Sequence, residues 1–300
     1  MKLYTLVCLP FIAVMNVAPL HAASPLTARL WASGKDRIET VKCPVTGDVD
    51  VEHCLAVQVQ SQAGAEVLGQ GYSQVKILWQ GKSNHGQPDA LVLGDYGGSS
   101  GLSDLYAISF SPGLGVWRLS VEPGEAVTVD KGKPSLCIGL PFGIGGFNGA
   151  PSSATTIVPI PVCWAAGGFM LDKKALFARS FSKEDLQFRG LAIGYELKRW
   201  AQDIDPATDV YPLKTTGGTP VTVSGLADLI LSGHADVARA MLHRHWPSTP
   251  ERLDVPMGGE DQFWASLCSE IIRSEDWRRF ELDQVPHAEM VETAAKGIQN

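Results

Sequence analysis

The sequence predicts an α+β fold, an N-terminal antiparallel β-sheet domain followed by a C-terminal α-helical bundle. Three observations predict it. From about residue 53 to 170 the apolar residues recur with a period near two, as half-buried strands require. Turn residues break that run every eight to twelve positions, and short strands joined by tight turns build antiparallel sheets. After Lys173 the period lengthens to that of a helix.

Taken in order, the chain starts with Lys2, an apolar run from Leu3 to Val17, and Pro19, His21, Ala22 and Ala23. That pattern describes a secretory signal peptide over residues 1–23; a membrane span needs about 20 apolar residues. Cys8 would leave with it. A β-rich, disulfide-containing domain is expected over 24–176. In it Leu55, Val57 and Val59 alternate with Ala56, Gln58 and Gln60; Val75, Ile77 and Trp79 follow, and Trp117, Leu119 and Val121 alternate with Arg118 and Ser120. Turns fall at His85-Gly86-Gln87-Pro88, Gly97-Gly98, Pro112-Gly113 and Lys131-Gly132-Lys133-Pro134. A helical domain is expected over 177–285. Ser182 and Asp185 form a capping-box-like start, and Leu186, Ile193, Leu197 and Trp200 share one face until Asp205-Pro206. A second stretch begins near Val223, turns at Gly233, and resumes through Val237, Met241 and Leu242 to Trp246-Pro247. A third spans Glu260 to Arg273, its acidic first turn favourable for the helix dipole. Residues 286–300 read as a polar, flexible tail.

Lys and Arg total 25 against 32 Asp and Glu, a net charge of −7 with no basic cluster. Nucleic acid is therefore not an expected partner. No later stretch is apolar enough to span a bilayer, so the mature chain is expected in the periplasm or the medium, where disulfides form. Of its five remaining cysteines, locality favours Cys43 with Cys54 and Cys137 with Cys163, although other pairings satisfy the same count. Zinc and haem spacings are absent from the sequence. Cys268 falls on the apolar face of Trp264 and Ile271, as a structural thiol would.

One stretch resembles a catalytic motif. Within LGDYGGSSGLSDLY, residues 93–106, Gly97-Gly98-Ser99-Ser100-Gly101 fits G-x-S-x-G, the pattern that presents a nucleophilic serine on a strand–turn–helix elbow. Leu105 to Phe110 reads as a strand where that mechanism needs a helix, so Ser99 is expected at a hairpin tip. The same loop carries Asp95, Ser99, Ser103 and Asp104. Their oxygens make it a candidate binding loop, with calcium as the cation they would suit; no other cofactor or metal is expected.

GLPFGIGGFNGAP, residues 139–151, has Asn148 where a dinucleotide fingerprint wants glycine. Its Phe142 and Phe147 are candidates for apolar contact with a partner, or for filling the core edge under the Cys137–Cys163 clip. His243 and His245 lie two apart on a helix and cannot share one ion; His234 lies across a turn from them. Trp31, Trp79, Trp117 and Trp164 offer an aromatic platform for a glycan, or core.

Two segments show partial resemblances. SNHGQPDALVLGDYGGSSGLSDLYAISF looks like one hairpin of an FG-GAP or VCBS-type β-propeller repeat, without that family's calcium-binding acidic run. It occurs once, and a propeller needs at least four blades. LADLILSGHADVARAML is similar to a single tetratricopeptide-type helical hairpin. The expected role is non-enzymatic: a factor that binds another envelope or secreted protein, as an inhibitor, immunity-type factor or assembly accessory. The alternatives are an exported serine hydrolase using Ser99 and a glycan-binding module.

Overall fold

The computed structural model describes residues 28–43, 54–81, 86–98, 101–144, 147, 156–202, 220–247 and 259–297. The leader expected at 1–23 and the pair Ser99-Ser100 lie outside them. The described protein is mixed α+β, strands first and helices after, as its periodicity requires.

Among the described residues twelve strands form three antiparallel four-stranded sheets, each a meander in chain order. The first holds β1 (Ala28–Ser33), β2 (Asp36–Lys42), β3 (Leu55–Ser61) and β4 (Gly64–Tyr72). Its first two strands precede the alternation that sequence reading begins near residue 53. They hide because β1 is an edge strand with no buried residue, and because Arg29 and Arg37 both reach Glu39, at 3.8 and 3.1 Å. The second sheet holds β5 (Gln74–Gln80), β6 (Ala90–Asp95), β7 (Ser103–Ser109) and β8 (Gly115–Val121). The third holds β9 (Thr128–Asp130), β10 (Cys137–Ile144), β11 (Thr156–Ala165) and β12 (Gly168–Leu171).

The second sheet is the middle layer. Ala90, Val92, Tyr106 and Ile108 pack against Ile38, Val57, Val59 and Tyr72 of the first sheet. Leu91, Leu93, Leu105 and Ala107, one residue out of phase, join a second cluster with Ile138, Leu140, Phe142 and Ile160 of the third. Burial on both faces explains why ALVL and LYAI are unbroken apolar runs, whereas β3 alternates. The segment resembling a propeller repeat is the β6–β7 hairpin of this layer. Helices follow the third sheet where a propeller would continue with a fourth blade.

Both disulfides take the local pairing. Cys43–Cys54 links the ends of β2 and β3, and Cys137–Cys163 joins directly opposed residues of β10 and β11.

Among the described residues seven α-helices follow: α1 (Lys173–Phe177), α2 (Lys183–Gln202), α3 (Pro220–Leu231), α4 (Ala235–His245), α5 (Glu260–Arg273), α6 (Glu275–Arg279) and α7 (Ala288–Lys296). The Ser182 hydroxyl accepts the Asp185 N–H at 3.0 Å while the Asp185 carboxylate accepts the Ser182 N–H at 3.2 Å, a reciprocal cap that starts α2. The tetratricopeptide-like hairpin is α3–α4, turning at Gly233. One apolar cluster runs from Leu91 and Phe142 through Ile193, Leu226, Leu242, Phe263 and Val291, so the helices share their core with the sheets. Residues 288–296, expected within a flexible tail, are α7. Ala288, Val291 and Ala295 bury one face of it, and two alanines in three positions make that face easy to mistake for a polar segment.

Candidate functional site

The serine-rich loop joins β6 to β7 as an antiparallel connection, with Asp95 opposite Ser103. Asp95 accepts the Gly97 N–H at 2.7 Å, and Gly97, Gly98 and Gly101 all have positive φ, a turn that glycine adopts without strain. A strand follows the loop, so the helix that an oxyanion-stabilising elbow requires is replaced by β7. The Ser103 hydroxyl is fully buried and donates to the Gly101 carbonyl at 3.1 Å.

Asp104 turns away from the loop into the space between the first two sheets. One carboxylate oxygen accepts the Tyr72 and Tyr96 hydroxyls and the Arg118 guanidinium, each at 2.7 Å, and the other accepts the Ser120 hydroxyl at 3.0 Å. Tyr72 and Tyr106 also bond to each other through their hydroxyls. Burial alone would raise the Asp104 carboxyl, but the hydrogen bonds from Arg118, Tyr72, Tyr96 and Ser120 outweigh it and hold the group below the usual carboxylate range. Burial pushes Tyr106 up to about 12, and burial followed by bonds to Tyr106 and Asp104 pushes Tyr72 higher still. Every member is engaged by another, so this constellation ties sheets together. Among the described residues no three His, Cys, Asp or Glu side chains are placed to hold a metal ion.

A groove of about 1140 Å³ lies elsewhere, between β11, α2 and α3. Its first wall is the open edge of β11. β12 pairs only with Val162 to Ala165, so among the described residues Thr156 to Ile160 have no paired strand on that side. Even-numbered groups face β10, as the Trp164 N–H bonded to the Leu136 carbonyl shows, so odd-numbered groups face the groove. Two of those are Pro159 and Pro161, which lack N–H donors. Their carbonyls are taken, Pro161 by the Asp172 N–H at 2.9 Å and Pro159 by Arg179. Such an edge resists addition of another strand.

The floor is an ion-pair triad. Asp228 on α3 takes Arg179 on one oxygen and Arg189 of α2 on the other, both at 2.8 Å. Arg189 also donates to the Gly225 carbonyl at 3.0 Å and lies over the Phe181 ring, 5.1 Å from its centroid. All three charged side chains keep 22 to 27% of their surface open. The remaining walls are apolar, with Ile157, Val158, Phe181, Phe188, Ala192 and Val221, and Ser224 between them.

The helix α2 carries more apolar surface than its core needs. Ile193 and Leu197 point inward, while Phe188, Leu191 and Tyr195 stand 73, 58 and 70% exposed. His245 of α4 packs on a third side, where a Cβ at Gly190 or Gly194 would come within 2.7 Å of its ring. Burial and the neighbouring Arg244 lower the His245 pKa. Phe188, Leu191 and Tyr195 recur at helical spacing off the Leu186–Ile193–Leu197 face, a second stripe readable in the sequence, of which only Phe188 lines the groove.

The other sequence candidates are held by intramolecular contacts, and of the histidines His243 is exposed. Phe142 is fully buried, and Phe147 packs on Phe263 with centroids 5.4 Å apart. His243 bonds Glu260 at 3.0 Å while His245 faces α2, so the two point to different elements, and His234 packs on Phe181. Burial pushes the Cys268 thiol up to about 12. Trp117, Trp164 and Phe169 pack edge to face on one another, and Trp31 stacks on Phe110. Comparison with protein-family models, curated proteins and solved structures finds no match to this chain.

Proposed function

We propose that the chain is an exported, non-enzymatic protein-binding factor of the cell envelope, and that it holds a segment of its partner in the groove between β11, α2 and α3. The observation that carries this reading is the groove's composition: apolar walls, an open floor, and charged groups already engaged. Asp228 is neutralised by two guanidiniums and Asp185 is occupied by Ser182, so the carboxylates there serve positioning, with no carboxylate left over for acid–base work. At about 1140 Å³ the groove exceeds the usual small-ligand cavity of about 300 to 1,000 Å³ and suits a peptide segment carrying apolar side chains. Its proline-blunted wall favours recognition through side chains over strand addition. The two disulfides, and the lack of any described helix long and apolar enough to cross a membrane, accord with an extracytoplasmic setting.

A photo-reactive residue at Ala192 tests this in envelope preparations. The expected result is one discrete protein adduct that is absent with the same probe at Lys131 and lost when Ser224→Trp fills the groove. Adducts that ignore Ser224→Trp would overturn the groove. Labelling of the native protein by a serine-directed probe, abolished in Ser99→Ala, would replace the binding role with hydrolysis. Retention on peptidoglycan or polysaccharide without any protein adduct would indicate a glycan-binding module.

A further inference from the structure

The outer stripe of α2 runs beside the groove and shares only Phe188 with it. Successive helical residues turn by about 100°, which sets Glu184, Phe188, Leu191, Tyr195 and Lys198 along one line and leaves Asp185, Arg189 and Ala192 on the adjacent, groove-facing line. The outer line advances by four, three, four and three residues, the heptad spacing of a two-helix seam. Its centre is apolar and exposed at all three positions, at 73, 58 and 70% for Phe188, Leu191 and Tyr195. Its ends are exposed and opposite in charge, Glu184 toward the N-terminus and Lys198 toward the C-terminus.

Reversing the stripe returns the same stripe with its charges exchanged. We propose that two copies of this chain associate through antiparallel α2 helices, with a two-fold axis passing at Leu191. In that arrangement Leu191 meets its own counterpart, Phe188 meets Tyr195 of the second copy, and Glu184 meets Lys198 of the second copy at both ends. The interface is isologous, as two-fold symmetry requires, and closes at the dimer. A parallel alignment would set Glu184 against Glu184 and Lys198 against Lys198, so charge selects the antiparallel partner. This goes beyond the groove reading; Phe188 borders both surfaces, but Leu191, Tyr195, Glu184 and Lys198 lie outside the groove lining and Ala192, Val221 and Ser224 lie outside the seam, so the two can be tested apart.

Sedimentation velocity on the full chain across micromolar to near-millimolar concentration reads the association directly. The wild type is expected to show a concentration-dependent monomer–dimer equilibrium. Leu191→Asp, at an exposed position, brings two carboxylates together on the axis and should abolish it. Glu184→Lys and Lys198→Glu, each creating two like-charge contacts, should weaken the dimer about tenfold, and the double reversal should restore wild-type affinity. Circular dichroism should stay unchanged in all four variants. A wild type that is monomeric at every concentration overturns the proposal, as does a dimer indifferent to the single reversals or not rescued by the double. Photo-crosslinking from Ala192 in the same charge variants reports the groove separately, so failure of one reading leaves the other standing.

Discussion

Arg118 with Asp104, and Arg179 and Arg189 with Asp228, are one ion-pair chemistry in two settings. The Asp104 side chain is 1% exposed and also receives four hydroxyls, from Tyr72, Tyr96, Tyr106 and Ser120, closing the space between two sheets. The Asp228 side chain is 22% exposed, holds two guanidiniums, and opens on a groove with apolar walls. The difference shows how burial decides what a carboxylate does. Where sheets enclose it, its hydrogen bonds fix the fold; where two helices and a strand edge leave it open, the same bonds shape a surface.

The largest expected effect breaks the closed centre. Asp104→Ala leaves the Tyr72 and Tyr106 hydroxyls buried with only each other, and should cost about 3 kcal/mol of stability. The denaturation midpoint reads that loss, and the groove adduct at Ala192 should survive wherever the variant is folded. The pH response has a defined sign. Because the folded Asp104 pKa lies below its ordinary value, its contribution is full above about pH 4 and is lost as pH falls through the folded value. A loss under about 1 kcal/mol would mean that apolar packing alone joins the first two sheets.

Breaking the open centre should cost less stability and more binding. Asp228→Ala leaves two part-buried guanidiniums without their carboxylate, and the solvent that still reaches them limits the cost to about 1 to 2 kcal/mol. With no carboxylate to draw them together, Arg179 keeps only its bond to Pro159 and Arg189 its contacts with Gly225 and Phe181, and the floor loses the tie between them. The expected result is a folded protein that no longer forms the groove adduct. An intact adduct would reduce the triad to a helix–helix tie.

What the sequence made legible follows the same division. The β6–β7 and α3–α4 hairpins, the Ser182–Asp185 cap and α5 rest on neighbours a few residues apart, so local pattern carried them. Asp104 read as a loop ligand because its partners Tyr72 and Arg118 are 32 and 14 positions away. The groove was hidden for a related reason: Pro159, Arg179, Arg189 and Asp228 come from a strand, a connection and two helices, and no local window contains them. β1 and α7 were missed through composition, one because ion pairs cover an edge strand, the other because alanines form much of its buried face.

The smallest expected effect sharpens the comparison at the hinge between the two settings, where α2 must be held for either of its outer lines to mean anything. Gly190 and Gly194 make a flat track on α2 for the His245 ring, at a distance no Cβ would allow. Burial and Arg244 keep the folded pKa of His245 below 6.5, so as pH falls the unfolded chain takes up this proton first. Stability from the contact is therefore full above pH 6.5 and declines as pH drops beneath it, beginning at a higher pH than the loss that reports Asp104. Urea midpoints at about pH 7.5 and 5.5 should differ in that direction, and His245→Gln should flatten the difference. If the slope survives that substitution, α2 is positioned by Ile193 and Leu197 alone, and protonation between those pH values leaves both the groove and the outer stripe where they are.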